Sequence, residues 1–210
     1  MIAPEQAIER ARALAARGPR TLLGITGPPG AGKSTLAAAV AGALGDRAVV
    51  VGMDGFHLAQ AELVRLGRHE RKGAIDTFDG AGYVALLRRL RDASEPVVHA
   101  PEFRREIEEP INAAVAVPRD VPLVITEGNY LLVDEGPWAH VRGLLDEAWY
   151  VVQDEETRVR LLIARHVAFG KPPEYAREWV LSSDERNAAL VAATRDRADV
   201  LVRIGRLSRG

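Results

Sequence analysis

An eight-residue loop between an apolar run and an amphipathic helix constrains this chain more than any other feature. The loop, Gly27 to Ser34, reads GPPGAGKS and follows the apolar run Thr21 to Thr26, which is typical of a buried strand. After the loop, apolar residues recur at four-residue spacing from Leu36 to Leu44, which predicts a helix. A strand, a glycine-rich loop and a helix in this order match the pattern G-x-x-x-x-G-K-[ST] in the setting that it requires.

Each part of this loop favours a bound triphosphate. Glycine permits positive φ and lets phosphate oxygens approach backbone N–H groups, and the helix N-terminus adds positive potential. Lys33 would reach the β- and γ-phosphates, and the Ser34 hydroxyl would bind magnesium. The competing interpretation is a glycine-rich turn with an incidental lysine. We expect the following residues to bind the nucleotide: Gly27, Pro28, Pro29, Gly30, Ala31, Gly32, Lys33, Ser34 and Thr35.

Apolar runs without polar alternation are separated by helical patterns along the chain. This arrangement predicts an α/β protein whose mainly parallel sheet is covered by helices on both faces, which is the three-layer fold of P-loop NTPases. Helices are predicted near the start of the chain, after the loop, and over 81–93, 155–169 and 174–194, the last broken near Ser182-Ser183. The predicted strands are 21–26, 48–52, 97–100, 123–126, 149–152 and 200–204.

Composition argues against several classes of protein. The 210 residues carry 28 lysines and arginines against 29 aspartates and glutamates, and nucleic-acid-binding proteins usually have a basic excess. Cysteine is absent, so neither disulfides nor a cysteine-based zinc site is expected. We find no apolar run of about 18 residues and no signal-peptide pattern, so we expect a cytoplasmic protein without membrane contact. Only Lys33, Lys72 and Lys171 are lysines, so arginine is the default surface cation.

Residues that follow parallel strands are candidates for a site, because ligands bind beyond the carboxyl ends of such strands. The second strand is followed by Met53-Asp54-Gly55-Phe56-His57. Asp54 is placed to accept the proton of a hydroxyl group that attacks a γ-phosphorus. Phe56 and His57 would form walls of a substrate pocket. The competing interpretations are a capping role for Asp54 and a packed or solvent-facing His57.

Four segments along the chain carry a family resemblance. They are GPPGAGKS, VVVGMDGFH, RKGAIDTFD and VITEGNYLL, in this order. The chain resembles the P-loop small-molecule kinases that include bacterial pantothenate kinase, uridine kinase and phosphoribulokinase. It is more similar still to bacterial proteins labelled fructose transport system kinase or nucleoside/nucleotide kinase family protein. The resemblance, from about residue 20 onward, implies a single P-loop kinase domain over 1–210, a helical lid at about 155–182 and acceptor-site segments at about 54–80 and 98–130.

The resemblance also implies ATP and Mg²⁺ as cofactors and a small hydroxylated metabolite as acceptor. Lys72 would lie beside the acceptor, and Asn129 and Tyr130 would face it. Glu127 would hold the magnesium shell through water, and Arg165 would close over the phosphates. Surface or turn roles are the competing interpretations for Lys72, Asn129 and Arg165. The oligomeric state stays open, although relatives are often homodimers.

One segment departs from the family pattern. Relatives often carry an aromatic–Asp–Arg run where this chain has Phe103-Arg104-Arg105. Arg104 replaces the acid, so we count it among the substrate-binding residues and expect an acceptor that is different or more anionic. A surface charge cluster with the neighbouring glutamates is the competing interpretation.

The predicted function is transfer of the γ-phosphoryl group of ATP to an alcohol, with Lys33, Asp54 and Arg165 as catalytic residues. One alternative is a nucleotide-hydrolysing regulator or assembly chaperone. Another is a nucleotide kinase, whose phosphorylated acceptor would need several converging arginines, here Arg68, Arg71, Arg104 and Arg105. Pantothenate, a nucleoside, a sugar and a sugar phosphate all fit as acceptors, and ATP over GTP rests on analogy. No metal besides magnesium is suggested, because the histidines lack metal-binding spacing.

Overall fold

The computed structural model describes residues 1–204, which are built around a parallel sheet. The strands are β1 (Thr21–Thr26), β2 (Ala48–Gly52), β3 (Val97–Arg104), β4 (Glu109–Pro118), β5 (Leu123–Glu127), β6 (Glu147–Val152) and β7 (Val200–Arg203). Five of them form the main sheet in the order β2-β5-β1-β6-β7. Every neighbouring pair in it runs parallel, which confirms the predicted α/β class with a mainly parallel sheet.

Helices cover both faces of this sheet. The first four are α1 (Pro4–Leu14), α2 (Lys33–Leu44), α3 (Gln60–Arg65) and α4 (Gly80–Asp92). Because successive side chains of a strand point to opposite faces, Leu22 and Leu23 of β1 belong to different core clusters. One cluster includes residues of α1 and α2, and the other includes residues of α4 and of β3 and β4. The three-layer arrangement buries β1 over its whole length.

The strand predicted at 97–100 does not join the main sheet. In the structure β3 extends to Arg104 and pairs antiparallel with β4 in a separate hairpin. Residues 101–105, expected just beyond a sheet strand, therefore lie mainly inside the hairpin. The hairpin packs close to the turn after β2, where a Cβ on Gly55 would lie 2.5 Å from the carbonyl oxygen of Pro101. The sequence analysis did not predict β4: half of its residues are exposed, and its short apolar run, AAVAV at 113–117, is mainly alanine, which is depleted in strands.

The C-terminal helices form the segment in which the lid was predicted. They are α5 (Glu155–Ala168), α6 (Pro173–Trp179) and α7 (Glu185–Ala192), with a π-helical turn (Val180–Asp184) between α6 and α7. Asp154 caps α5, since its side chain accepts from the N–H of Thr157 at 3.1 Å. The π-helical turn falls where the break near Ser182-Ser183 was predicted. Within residues 1–204, no helix is long and apolar enough to cross a membrane.

Candidate functional site

Three neighbouring strands of the sheet end beside one another. The glycine-rich loop follows β1, Asp54 follows β2, and Glu127 is the last residue of β5, which lies between these two strands. The carboxyl ends of parallel strands meet at one edge, so the strand order brings the loop and both carboxylates together. This edge is therefore the candidate active site.

The loop has the backbone conformation that its glycines predict. Gly27, Gly30 and Gly32 have φ of 146°, 81° and 91°, a region that side chains with a Cβ rarely adopt. Lys33 is buried, and its Nζ donates to the carbonyl oxygen of Pro28 at 3.1 Å. Desolvation lowers the pKa of Lys33 to about 8, against the opposing effect of the Glu127 and Asp54 carboxylates. A bound polyphosphate would supply the anion that this buried ammonium lacks.

Ser34 and Glu127 provide oxygen ligands suited to magnesium. The Ser34 hydroxyl donates to Oε1 of Glu127 at 3.2 Å, at the N-terminal end of α2. Burial, followed by the nearby negative charge of Asp54, raises the pKa of Glu127. The Ser34 hydroxyl and the Glu127 carboxylate lie close to the Asp54 carboxylate. A hard divalent cation fits these oxygen ligands and would relieve the repulsion between the two carboxylates. The pair therefore fits Mg²⁺ that is held mainly by phosphate oxygens and water.

Asp54 lies next to an arginine from the hairpin. Its Oδ2 pairs with Nη2 of Arg105 at 3.3 Å, and its carbonyl oxygen is 2.8 Å from Nδ1 of His57. The His57 ring packs between Phe78 and Phe103, with centroid distances of 4.0 and 4.6 Å. Desolvation lowers the pKa of His57, which keeps the ring neutral at pH 7. These contacts orient the segment that carries the Asp54 carboxylate.

A cavity of about 370 Å³ opens above these groups. The hairpin and the segment around Lys72 form one wall, and α5, α6 and the π-helical turn form another. His166, on the second wall, pairs through Nε2 with Asp184 at 2.8 Å. The volume is sufficient for a small metabolite beside a triphosphate tail.

Half of the predicted site residues line this cavity. Those that line it are Pro29, Lys33, Ser34, Asp54, His57, Lys72, Glu127, Asn129 and Arg165. The remaining residues of the loop, Gly27, Pro28, Gly30, Ala31 and Gly32, connect β1 to α2. Thr35 lies in the first turn of α2 and is exposed. That these residues bind the nucleotide or the acceptor stays a prediction.

Two predicted acceptor residues pack below the cavity instead of lining it. Phe56 stacks edge-on against Tyr83, with ring centroids 5.3 Å apart. Tyr130 is fully buried, and its hydroxyl donates to the carbonyl oxygen of Gly73 at 2.6 Å. Both residues therefore help to shape the floor of the cavity, because their side chains pack in the core.

The structure places Arg105, not Arg104, in the cavity. Arg104 pairs with Glu102 at 2.8 Å and is exposed, because adjacent residues of an extended segment point to opposite sides. Of the four arginines that a nucleotide kinase would require, Arg68, Arg71 and Arg104 do not line the cavity. Arg71 forms a two-bond pair with Asp76 at 2.6 Å, and Arg68 contacts the same carboxylate at 3.4 Å.

Sequence reasoning missed Arg158, which joins α5 and α7 to the loop. Its side chain is 1% exposed, and Nη1 donates to the carbonyl oxygen of Pro29 at 2.9 Å. The same guanidinium pairs with Glu155 and Glu185, so it links the loop, α5 and α7. A Cβ on Gly30 would lie 2.9 Å from the carbonyl oxygen of Arg158. A charged residue on the inner face of α5 was the available sequence signal.

Comparisons with known proteins identify relatives across most of the chain. No protein-family model matches it. It is 38% identical to an ATP-dependent kinase-like protein of Aspergillus versicolor over 145 residues, which is 65% of this chain and 84% of that protein. It is 34% identical to a "putative uridine kinase" of Schizosaccharomyces pombe, covering 72% of this chain and 68% of that protein.

A solved structure is similar over nearly the whole length. It is described as a "putative fructose transport system kinase" from Silicibacter sp. TM1040. The two sequences are 32% identical, the match covers 93% of this chain and 97% of the other, and the TM-score is 0.80.

Proposed function

Because the chain belongs to the P-loop kinases of the group that includes uridine kinase, pantothenate kinase and phosphoribulokinase, we propose that it transfers the γ-phosphoryl group of ATP to a hydroxyl group of a small metabolite. The observation that carries this proposal is the position of Asp54. Its carboxylate lines a cavity of about 370 Å³ together with Lys33, Ser34 and Glu127. A base beside a phosphate loop, with space for a second molecule, supports transfer to an acceptor.

The transfer forms one bond and breaks another. The acceptor oxygen forms a bond to the γ-phosphorus, the bond from that phosphorus to the β–γ bridging oxygen breaks, and ADP leaves. Asp54 takes the hydroxyl proton. Lys33 and Arg165 hold positive charge near the phosphoryl oxygens as negative charge shifts toward the leaving group. Mg²⁺, when bound at Ser34 and Glu127, neutralises phosphate charge.

Closure of the lid is part of the proposal. Phe169, at the tip of the lid, packs over the guanidinium of Arg105, with 5.9 Å between the guanidinium carbon and the ring centroid. A closed lid would exclude water, which otherwise competes with the acceptor for the phosphoryl group.

The test is a coupled ATP-consumption assay with the full chain, Mg²⁺ and a panel of hydroxylated metabolites. The panel includes nucleosides, nucleoside monophosphates, sugars, sugar phosphates and hydroxy acids. We expect ADP release that depends on one chemical class of acceptor and a product that is one phosphoryl group heavier by mass spectrometry. Lys33→Ala should abolish the turnover. ATP hydrolysis that no acceptor accelerates would contradict the proposal and favour a nucleotide-hydrolysing regulator. A cytoplasmic location, a homodimer and the preference for ATP over GTP stay predictions.

A further inference from the structure

Two cations of the lid face the cavity without a carboxylate partner in the described part of the chain. Arg165 lies in the last turn of α5, and Lys171 lies in the loop between α5 and α6. Within residues 1–204, no carboxylate oxygen lies within 4.0 Å of either cationic group, whereas the neighbouring Arg158 and His166 are both paired. Both cations are therefore available to an anionic ligand.

Lys171 is held in position by aromatic rings. Its Nζ lies 4.2 Å from the ring centroid of Trp179 and 5.5 Å from that of Tyr175. Ring faces attract an ammonium group but carry no net charge, so they position the cation without neutralising it. The N–H donors that do not face the rings can therefore serve a bound anion.

Contacts of the lid tip indicate that Lys171 lies on the acceptor side. Phe169, two residues earlier, packs over Arg105, which pairs with Asp54 at 3.3 Å. Lys72 lines the cavity beside the hairpin, with its Nζ 5.1 Å from the ring centroid of Phe103 and 3.8 Å from Oε2 of Glu108. The cavity that the Asp54 carboxylate lines is thus also lined by Lys72 and Lys171.

The distribution of lysine in this chain supports a common role for the three lysines in binding an anionic ligand. The chain has three lysines among 28 basic residues, and all three line this one cavity. An ammonium group is a compact point charge on a flexible stem, which suits an anion whose position changes as a lid closes. Arginine supplies the surface charge elsewhere.

We propose that the acceptor carries a carboxylate or a phosphate group in addition to its hydroxyl, and that Lys171 binds this anionic group when the lid covers the cavity. This inference rests on the proposed kinase function and narrows it, because it favours hydroxy acids and sugar phosphates over nucleosides and neutral sugars. Lys72 also lines the cavity, but its ammonium group is paired with Glu108, so Lys171 carries the proposal.

Tryptophan fluorescence can test the anion site without turnover. Trp138 and Trp149 are 4% and 0% exposed, so Trp179 is the tryptophan that reports on the cavity. The full chain, saturated with Mg²⁺ and a non-hydrolysable ATP analogue, is titrated with malonate, with inorganic phosphate, and with chloride at equal ionic strength. We expect a saturable change in fluorescence with malonate or phosphate. The anion that binds more tightly shows whether the site prefers a carboxylate or a phosphate group.

Substitutions of Lys171 test whether the anion binds at this residue. Lys171→Met should weaken the binding of the anion at least about tenfold, and Lys171→Arg should restore part of it. Arg177→Met is the matched control, because it removes an exposed charge of α6 that does not line the cavity. A response no different from that of chloride, or equal affinity in Lys171→Met, would overturn the proposal.

Kinetics with paired acceptors separate this inference from the kinase function. The pairs are glycerate and glycerol, pantothenate and pantothenol, and fructose 6-phosphate and fructose. Lys171→Met should raise KM for the charged member about tenfold and leave KM for ATP unchanged. Preference of the wild type for neutral members, or a rise in KM for ATP alone, would overturn the inference while phosphoryl transfer stands. Absence of turnover with every acceptor would contradict the kinase function, and the fluorescence titration then still decides the anion site.

Discussion

Asp54 is the residue on which the proposed transfer depends most directly. It lines the cavity, and no other carboxylate precedes or follows it within the turn Met53–Phe56. We expect Asp54→Asn to lower kcat by roughly 10²–10⁴ while leaving the affinity for Mg²⁺ and nucleotide within about threefold, because the amide cannot take the hydroxyl proton. Steady-state kinetics and isothermal titration with an ATP analogue measure the two quantities. Unchanged kcat would show that Asp54 is not the base.

Arg104 and Arg105 form a matched pair for testing the geometry of the hairpin. Arg105 pairs with Asp54 in the cavity, whereas Arg104 pairs with Glu102 outside it. We expect Arg105→Met to reduce kcat/KM about tenfold or more, because the Asp54 carboxylate loses its orienting partner. Arg104→Met should stay within about twofold of the wild type in the same assay. The reverse order of effects would contradict the placement of the two side chains.

At the scale of elements, Arg158 connects the phosphate loop to α5 and α7. It is buried and contacts the carbonyl oxygen of Pro29 and the carboxylates of Glu155 and Glu185. We expect Arg158→Met to reduce the free energy of unfolding by about 2–3 kcal/mol, less than for a fully buried pair, because both carboxylates keep contact with water. Urea denaturation measures the change.

The same helix supplies the control for this prediction. Arg160 lies on α5 two residues further along and is exposed. Arg160→Met should change the free energy of unfolding by less than about 0.5 kcal/mol. Equal losses of unfolding free energy in both variants would indicate that stability depends on the positive charge of α5 and not on the contact between Arg158 and Pro29.

At the scale of the whole molecule, nucleotide should stabilise the fold. The loop that would bind it lies between β1, the central strand of the sheet, and α2, whose residues pack in one of the two core clusters. A Mg²⁺–nucleotide complex at about 100 times its Kd adds about 2.7 kcal/mol of stability, which corresponds to a rise in Tm of roughly 5–10 °C. Differential scanning fluorimetry measures the shift, which EDTA should reduce and Lys33→Ala should abolish.

Features that depend on local sequence were predictable. The positive φ of Gly27, Gly30 and Gly32, the helix after the loop and the position of Asp54 after β2 all follow from neighbouring residues. The break near Ser182-Ser183 was likewise predicted, although its π-helical form was not. Patterns of burial and conformational preference act over a few residues, so one sequence is enough to reveal them.

Features that depend on distant partners were not predictable in the same way. The hairpin forms because β3 and β4 pair with each other, although the apolar run of β4, AAVAV at 113–117, is mainly alanine and predicts a strand only weakly. Phe56 and Tyr130 were expected to face the acceptor, but aromatic neighbours from other segments hold them in the core.

The sequence by itself determined that this chain folds as an α/β protein with a phosphate loop and a carboxylate at the same edge of its sheet. Glycine positions and apolar periodicity are sufficient for that, because strands buried on both faces leave only their ends for a site. Only the tertiary structure decided that Arg105, and not the expected Arg104, lines the cavity, that Arg158 joins α5 and α7 to the loop, and that three lysines share one cavity. The reason is physical: a charged side chain takes the partner that folding brings within reach, and residues far apart in the chain supply that partner.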